Sequence, residues 1–159
     1  MTHRYAPLLL AGLLLASSAL AADPRITLLE VGDNAKDGVS PHWTITADQA
    51  EEALAALLNH LQTVESEPGL SDFRRSNHLH VRKQFAEYRF QAYGITMGPR
   101  NVPALKGPTR VVELNGHCDP KRYRAPAWSE RPLLILDGGP CYFRAFYDVT
   151  AKRIIWVSV

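Results

Sequence analysis

The sequence predicts an α+β fold: one long N-terminal helix packed on a curled antiparallel sheet of four or five strands. Three observations carry that reading. An apolar stripe at helical spacing runs from Ala50 to Val64, apolar positions alternate in several runs after Gln84, and Gly, Pro and Asn cluster between those runs. A helix with one apolar stripe must lie on something flat, and a sheet supplies it.

Taken in order, residues 25–31 (RITLLEV) form a short strand candidate ended by GDN, and residues 33–42 read as a loop. Thr46 and Gln49 then make a capping box, T-x-x-Q, in which each side chain reaches the other's backbone N–H. Ala50, Ala53, Leu54, Leu57, Leu58, Leu61 and Val64 follow on one face, with Asp48, Glu51 and Glu52 near the positive end of the helix dipole. Glu-Pro-Gly at 67–69 stops the helix. Residues 70–83 fit either a second short helix or the run-in to a strand.

Phe85, Tyr88, Phe90 and Ala92 mark one face of a strand ending near Tyr93-Gly94-Ile95, and the Gly- and Pro-rich stretch 94–108 reads as a loop. Residues 109–114 (TRVVEL) form a strand, and Asn115-Gly116 signals a tight turn or bulge. Residues 119–132 carry three prolines and no apolar period, a long loop. Residues 133–137 (LLILD) read as a strand turned by GGP. In residues 141–148, Cys141, Phe143, Ala145 and Tyr147 face one way, and Tyr142, Arg144, Phe146 and Asp148 the other. A turn at 149–152 leads to the last strand, RIIWVSV. No internal repeat interrupts this plan.

The N-terminus sets the compartment. Residues 1–22 combine Arg4, an apolar run over Leu8–Ala16 and Ala-Leu-Ala at 19–21, the three parts of an export signal in order. The run is short of the roughly 20 residues a membrane span needs. Cleavage after Ala21 or Ala22 leaves a single α+β domain over residues 23–159, directed to the periplasm or the medium. Removing the signal takes one Arg and no acid, so the formal charge falls from +2 to +1. So small a charge gives no reason to expect nucleic acid as a partner.

An oxidising compartment and an even cysteine count predict one disulfide, Cys118–Cys141. It closes around the loop with least core of its own. The competing reading pairs His117 with Cys118 as base and nucleophile, but neighbours on a strand point to opposite faces.

Other candidates each have a plainer role beside the functional one. His78 and His80 share a face if residues 78–80 are a strand, a spacing that metal sites use, with His117 or His60 as a third ligand. Arg74, Arg75, Arg82 and Lys83 form a basic cluster, either a contact for an anionic partner or a solvated face. Asp137-Gly138-Gly139 lacks the Lys-Ser/Thr of a phosphate-binding loop and reads as a turn. Trp128, inside the disulfide ring, is either a partner contact or a lid over the core. No cofactor is implied, and no hydrolase or metalloprotease signature is present.

The helix followed by an antiparallel meander over residues 45–159 resembles the cystatin-like and nuclear-transport-factor-like layout. The nearest match to the cystatin Q-x-V-x-G loop is QAYGI at Gln91–Ile95, without the valine, so inhibition is not carried over. The tail GHC…W…LDGGPCYF…YD is similar to small exported bacterial proteins, a resemblance that implies export and a disulfide. The expected function is therefore an exported, non-catalytic binding or structural module of the bacterial envelope. Its partner would be a protein or small molecule, met through the sheet face or the 119–132 loop. The alternative is an enzyme or metal-binding protein built on the histidines.

Overall fold

A computed structural model describes residues 23–30, 43–63, 69–103, 105–135 and 139–159. The proposed export signal at 1–22, the whole 33–42 loop, Val64 and the helix stop at 67–68, and residues 136–138 of the expected strand and turn lie outside the described residues.

The fold is α+β, as expected, but its sheet is mixed and its helical layer has two members. Strand β1 (Ile26–Leu28) pairs in parallel with β2 (Arg89–Met97). Strands β3 (Thr109–His117), β4 (Tyr142–Asp148) and β5 (Arg153–Ser158) continue antiparallel, giving the spatial order β1-β2-β3-β4-β5. The β1–β2 crossover carries helices α1 (Ala47–Thr63) and α2 (Asp72–Lys83). A single long helix is thus replaced by one of 17 residues and one of 12.

The capping box starts α1 as expected: Thr46 N donates to Gln49 Oε1 at 3.0 Å, and Gln49 N to Thr46 Oγ1 at 3.2 Å. The ambiguity at 70–83 resolves as helix. Ser71 caps it by accepting from Arg74 N, Asp72 sits in its first turn, and His80, Arg82 and Lys83 lie in its last, where the dipole favours cations.

Ala50, Ala53, Leu54, Leu57 and Leu61 of α1 bury against Phe90, Ala92, Val112, Leu114, Phe143, Ala145, Tyr147 and Val157 of the sheet. Each fully buried Leu or Phe contributes roughly 1.5–3 kcal/mol. This inner face matches the alternation read from residues 141–148.

The outer face carries Gln91, Tyr93, Met97, Val111, Glu113, Asn115, His117, Tyr142, Arg144 and Phe146, placed there by the β2–β3–β4 register. A second, smaller apolar cluster of Met97, Val102, Val111 and Phe146 covers one end of it. A bulge between Phe146 and Tyr147 offsets the β4–β5 register there.

Two expected turns are strand interior. β2 runs through Gly94 because a Cβ there would meet Trp43, whose backbone bridges to Gly94, at 2.5 Å. β3 runs through Asn115-Gly116, since Gly116 makes room for the Phe143 ring, 2.6 Å from where its Cβ would stand. Conversely, residues 133–135 are not a strand. Both sides of β4 are taken by β3 and β5, and Leu133 gives its backbone N–H and C=O to side chains instead.

Candidate functional site

Cys118 and Cys141 form the expected disulfide, with Cα atoms 5.0 Å apart and 23 residues of separation. Cys118 N also donates to Cys141 O at 3.0 Å, continuing the β3–β4 ladder one step past the His117–Tyr142 pair. The bond closes the base of a strap, residues 119–135, that crosses the outer sheet face.

The strap begins with a short helix, α3 (Pro120–Tyr123), capped by Asp119, whose side chain accepts from Lys121 N. Side chains from the sheet then hold it. Gln91 Nε2 donates to Trp128 O at 2.7 Å and Arg131 O at 2.9 Å, while Gln91 Oε1 accepts from Leu133 N at 2.9 Å. Asn115 Nδ2 donates to Leu133 O at 2.8 Å and to Gln91 Oε1 at 3.1 Å. Both residues are buried, and they replace a missing strand partner with side-chain hydrogen bonds. The alternation of residues 89–97 places Gln91 on the outer face, but nothing local in the sequence reveals its partners.

Trp128 lies as a lid over the outer face: it is buried and its indole N–H donates to Thr27 Oγ1 at 2.9 Å. Beneath it lies His117, edge-on to the Trp128 ring at 5.2 Å and beside Tyr142 at 4.9 Å. The Tyr123 hydroxyl closes this corner by donating to His117 O. Among the described residues, His117 Nε2 and Asn115 Oδ1 are buried without a hydrogen-bond partner.

Burial pulls the His117 imidazole down from an ordinary 6.5 to about 4, Arg122 adds to the effect, and Asp119 opposes it. The ring is therefore neutral near pH 7. Because the folded state resists protonation and the unfolded state does not, this histidine's contribution is full above about pH 6.5. It falls as pH drops toward 4, where it levels off. The loss is expected to total roughly 3 kcal/mol, at 1.36 kcal/mol per pH unit. Replacing His117 by Leu should remove this component from the acid limb. Melting temperatures of both proteins between pH 7 and pH 4 check it; parallel curves would refute it.

Farther along the same face, Glu113 is 1 % exposed and accepts from Arg144 Nε at 2.5 Å. Burial, and then the Glu113 charge, push the Tyr93 phenol up, so it stays protonated. Arg144 also lies over Phe146, which stacks on the partly exposed Trp156 with ring centroids 5.3 Å apart.

The three candidate metal ligands are not brought together. Residues 78–80 are helix and not strand, so His78 and His80 point about 200° apart around α2. His78 is buried with its ring 6.3 Å from that of His60 on α1. His117 occupies the sheet face turned away from α1. Among the described residues no group of three or more His, Cys, Asp or Glu side chains could hold a metal ion. Of the basic cluster, Arg74 and Lys83 are exposed while Arg75 and Arg82 are partly buried, all on α2. Among the described residues, no helix is long and apolar enough to cross a membrane.

The strap's base does form a recess. Glu87, Arg89, Cys118, Pro120, Tyr123 and Arg124 line an open cleft of about 480 Å³. Arg89 is the first residue of β2, opposite His117 in register; Arg124 follows α3 on the strap. Both are exposed, and among the described residues neither has an ion-pair partner, whereas Arg25, Arg122 and Arg144 pair with Asp23, Asp119 and Glu113. Sequence reading missed this pair because its members lie far apart along the chain, without a shared motif. No protein-family model, curated protein or solved structure matches the chain.

Proposed function

We propose that the protein is an exported binding module of the bacterial envelope, without catalysis of its own, which takes a small oxyanion-bearing ligand at the base of the strap. The observation that carries this reading is the cleft that Arg89 of the sheet and Arg124 of the strap line, neither of which has an ion-pair partner among the described residues. A guanidinium presents a planar fork of donors that matches a carboxylate or phosphate. Glu87 on the rim compensates one of the two charges, leaving an excess of one. The Tyr123 phenol adds a flat wall, and the Cys118–Cys141 bond beside it holds the strap side against the sheet side. Export and placement in the envelope rest on the pattern of residues 1–22 and on the disulfide, which suits an oxidising compartment.

The test is a titration of the oxidised protein with citrate and, separately, inorganic phosphate, followed by amide chemical shifts. Shifts are expected at Cys118, Tyr123 and Arg124 with one or both probes. The double variant Arg89→Ala/Arg124→Ala should bind at least about tenfold more weakly, since each charge-assisted hydrogen bond contributes roughly 1.5–3 kcal/mol. Shifts that survive in the double variant, or none with either anion, would refute the reading.

A further inference from the structure

Asp23 is gripped at both its amide and its carboxylate. Its backbone nitrogen donates to Glu51 Oε1 of α1 at 3.0 Å. Its side chain is held by Arg25: Asp23 Oδ2 lies 2.6 Å from Nη2, and Oδ1 accepts from the Arg25 backbone N at 2.9 Å. The Arg25 guanidinium holds the Asp23 carboxyl below the usual carboxylate range. Arg25 is fixed in turn over the Phe85 ring, 5.6 Å from its centroid. These groups border a cleft of about 360 Å³ walled by Leu54, Ala55 and Leu58 of α1.

The arrangement is unbalanced for an ordinary mid-chain residue. Asp23 spends its own negative charge on Arg25, so Glu51 brings a second carboxylate to a neutral amide. An amide N–H needs one acceptor and is served as well by a carbonyl or water. A carboxylate at that distance suits a nitrogen that carries a positive charge.

We propose that the Ala22–Asp23 bond is the processing site of the exported chain and that Glu51 receives the α-ammonium group that cleavage creates. This rests on the export reading above. In the cleavage, catalysed by a signal peptidase, water adds to the Ala22 carbonyl carbon and the C–N bond breaks. The oxygen stays with the new Ala22 carboxylate; the Asp23 nitrogen keeps the electron pair and is protonated. The 3.0 Å hydrogen bond to Glu51 thereby becomes an ion pair between α1 and the start of β1. The Ala-Leu-Ala-Ala run at 19–22 permits a cut after Ala21 or Ala22, and only the second charges the nitrogen that faces Glu51. A cut after Ala21 leaves Asp23 as an amide and places the charge one residue away. Processing would then complete the fold as well as release it, because the precursor lacks this ion pair.

Two measurements test this. The full-length chain is expressed for export, and the intact mass of the released protein is read. Separately, chains beginning at Asp23 and at Ala22 are prepared, each with Glu51 and with Glu51→Gln, and melted at neutral pH. The expected mass is that of residues 23–159. The chain beginning at Asp23 is expected to melt about 2–4 °C above the one beginning at Ala22, the contribution of a partly exposed surface pair at this chain length, and Glu51→Gln should erase that difference. A mass corresponding to residues 22–159, or melting temperatures independent of where the chain begins, overturns the Glu51 assignment and leaves export standing. Recovery of the unprocessed chain alone overturns the export reading itself.

Discussion

Replacing Cys141 by Ser is expected to lower the stability of the protein by about 3–4 kcal/mol, the chain-entropy value for a closed loop of 23 residues, without unfolding it at room temperature. The melting temperature should fall by about 10 °C or more. Two features bound the effect. Trp128 is the one buried residue of the strap, so little like a core holds its path once the ring is opened. The four hydrogen bonds by which Gln91 and Asn115 grip Trp128, Arg131 and Leu133 remain, and they keep the strap docked in the folded state. The indole N–H of Trp128, bonded to Thr27 Oγ1, is the probe that separates global from local loss. Its hydrogen exchange should accelerate in Cys141→Ser by more than the fall in global stability explains. A melting temperature within about 2 °C of the parent would mean that the side-chain clamp alone determines the strap. The disulfide would then be stabilising nothing.

The same variant bears on the proposed ligand site, because Cys118 lines the cleft and Arg124 is carried by the strap. Arg89 belongs to the sheet and stays put. Loosening the strap therefore changes the separation of the two guanidinium groups without removing either, and anion binding should weaken although the charge is unchanged.

What could be read from the sequence was whatever a single segment enforces on itself. The Thr46/Gln49 box, the α1 stripe at Ala50, Ala53, Leu54, Leu57 and Leu61, and the faces of residues 141–148 depend on neighbours within four positions and stand in the structure, while Leu58 of the expected stripe is exposed. The cysteine pairing needed only a count and an expected compartment. The errors fall where distant groups outvote local preference. Asn115-Gly116 prefers turns in isolation. Here Gly116 is required by the Phe143 ring and Asn115 by Leu133, so the pair stays in a strand. Leu133–Ile135 has the composition of a buried strand, but no free sheet edge reaches it, and it covers the outer face as pinned coil. His78 and His80 share a face only in a strand, and the Ser71 cap with its flanking charges makes that segment a helix. The cleft was invisible for a similar reason, since antiparallel pairing sets Arg89 opposite His117, next to the disulfide that starts the strap.

The outer face also makes a prediction that separates architecture from recognition. Arg144→Met should cost about 2–4 kcal/mol, because it strands the Glu113 carboxylate, whose side chain is 2 % exposed, without its counter-charge. Glu113→Gln should cost only about 1 kcal/mol. The amide keeps an oxygen for Arg144 Nε, and the arginine side chain, 30 % exposed, reaches water for the rest. The order of the two losses therefore follows from unequal burial and not from the strength of the bond they share. Combining them should recover much of the loss seen in Arg144→Met, since the double variant buries no uncompensated charge, and a double-mutant cycle by chemical denaturation measures that coupling. Additive losses, or a smaller loss for Arg144→Met than for Glu113→Gln, would mean that Glu113 has another source of compensation. Arg144 has a second use to exclude, because an arginine over Phe146, whose ring stacks on the exposed Trp156, could also meet a ligand. Here the two readings part: an arginine already committed to a buried carboxylate leaves anion binding at Arg89 and Arg124 intact when it is removed, whereas a recognition role would lower stability little and binding greatly.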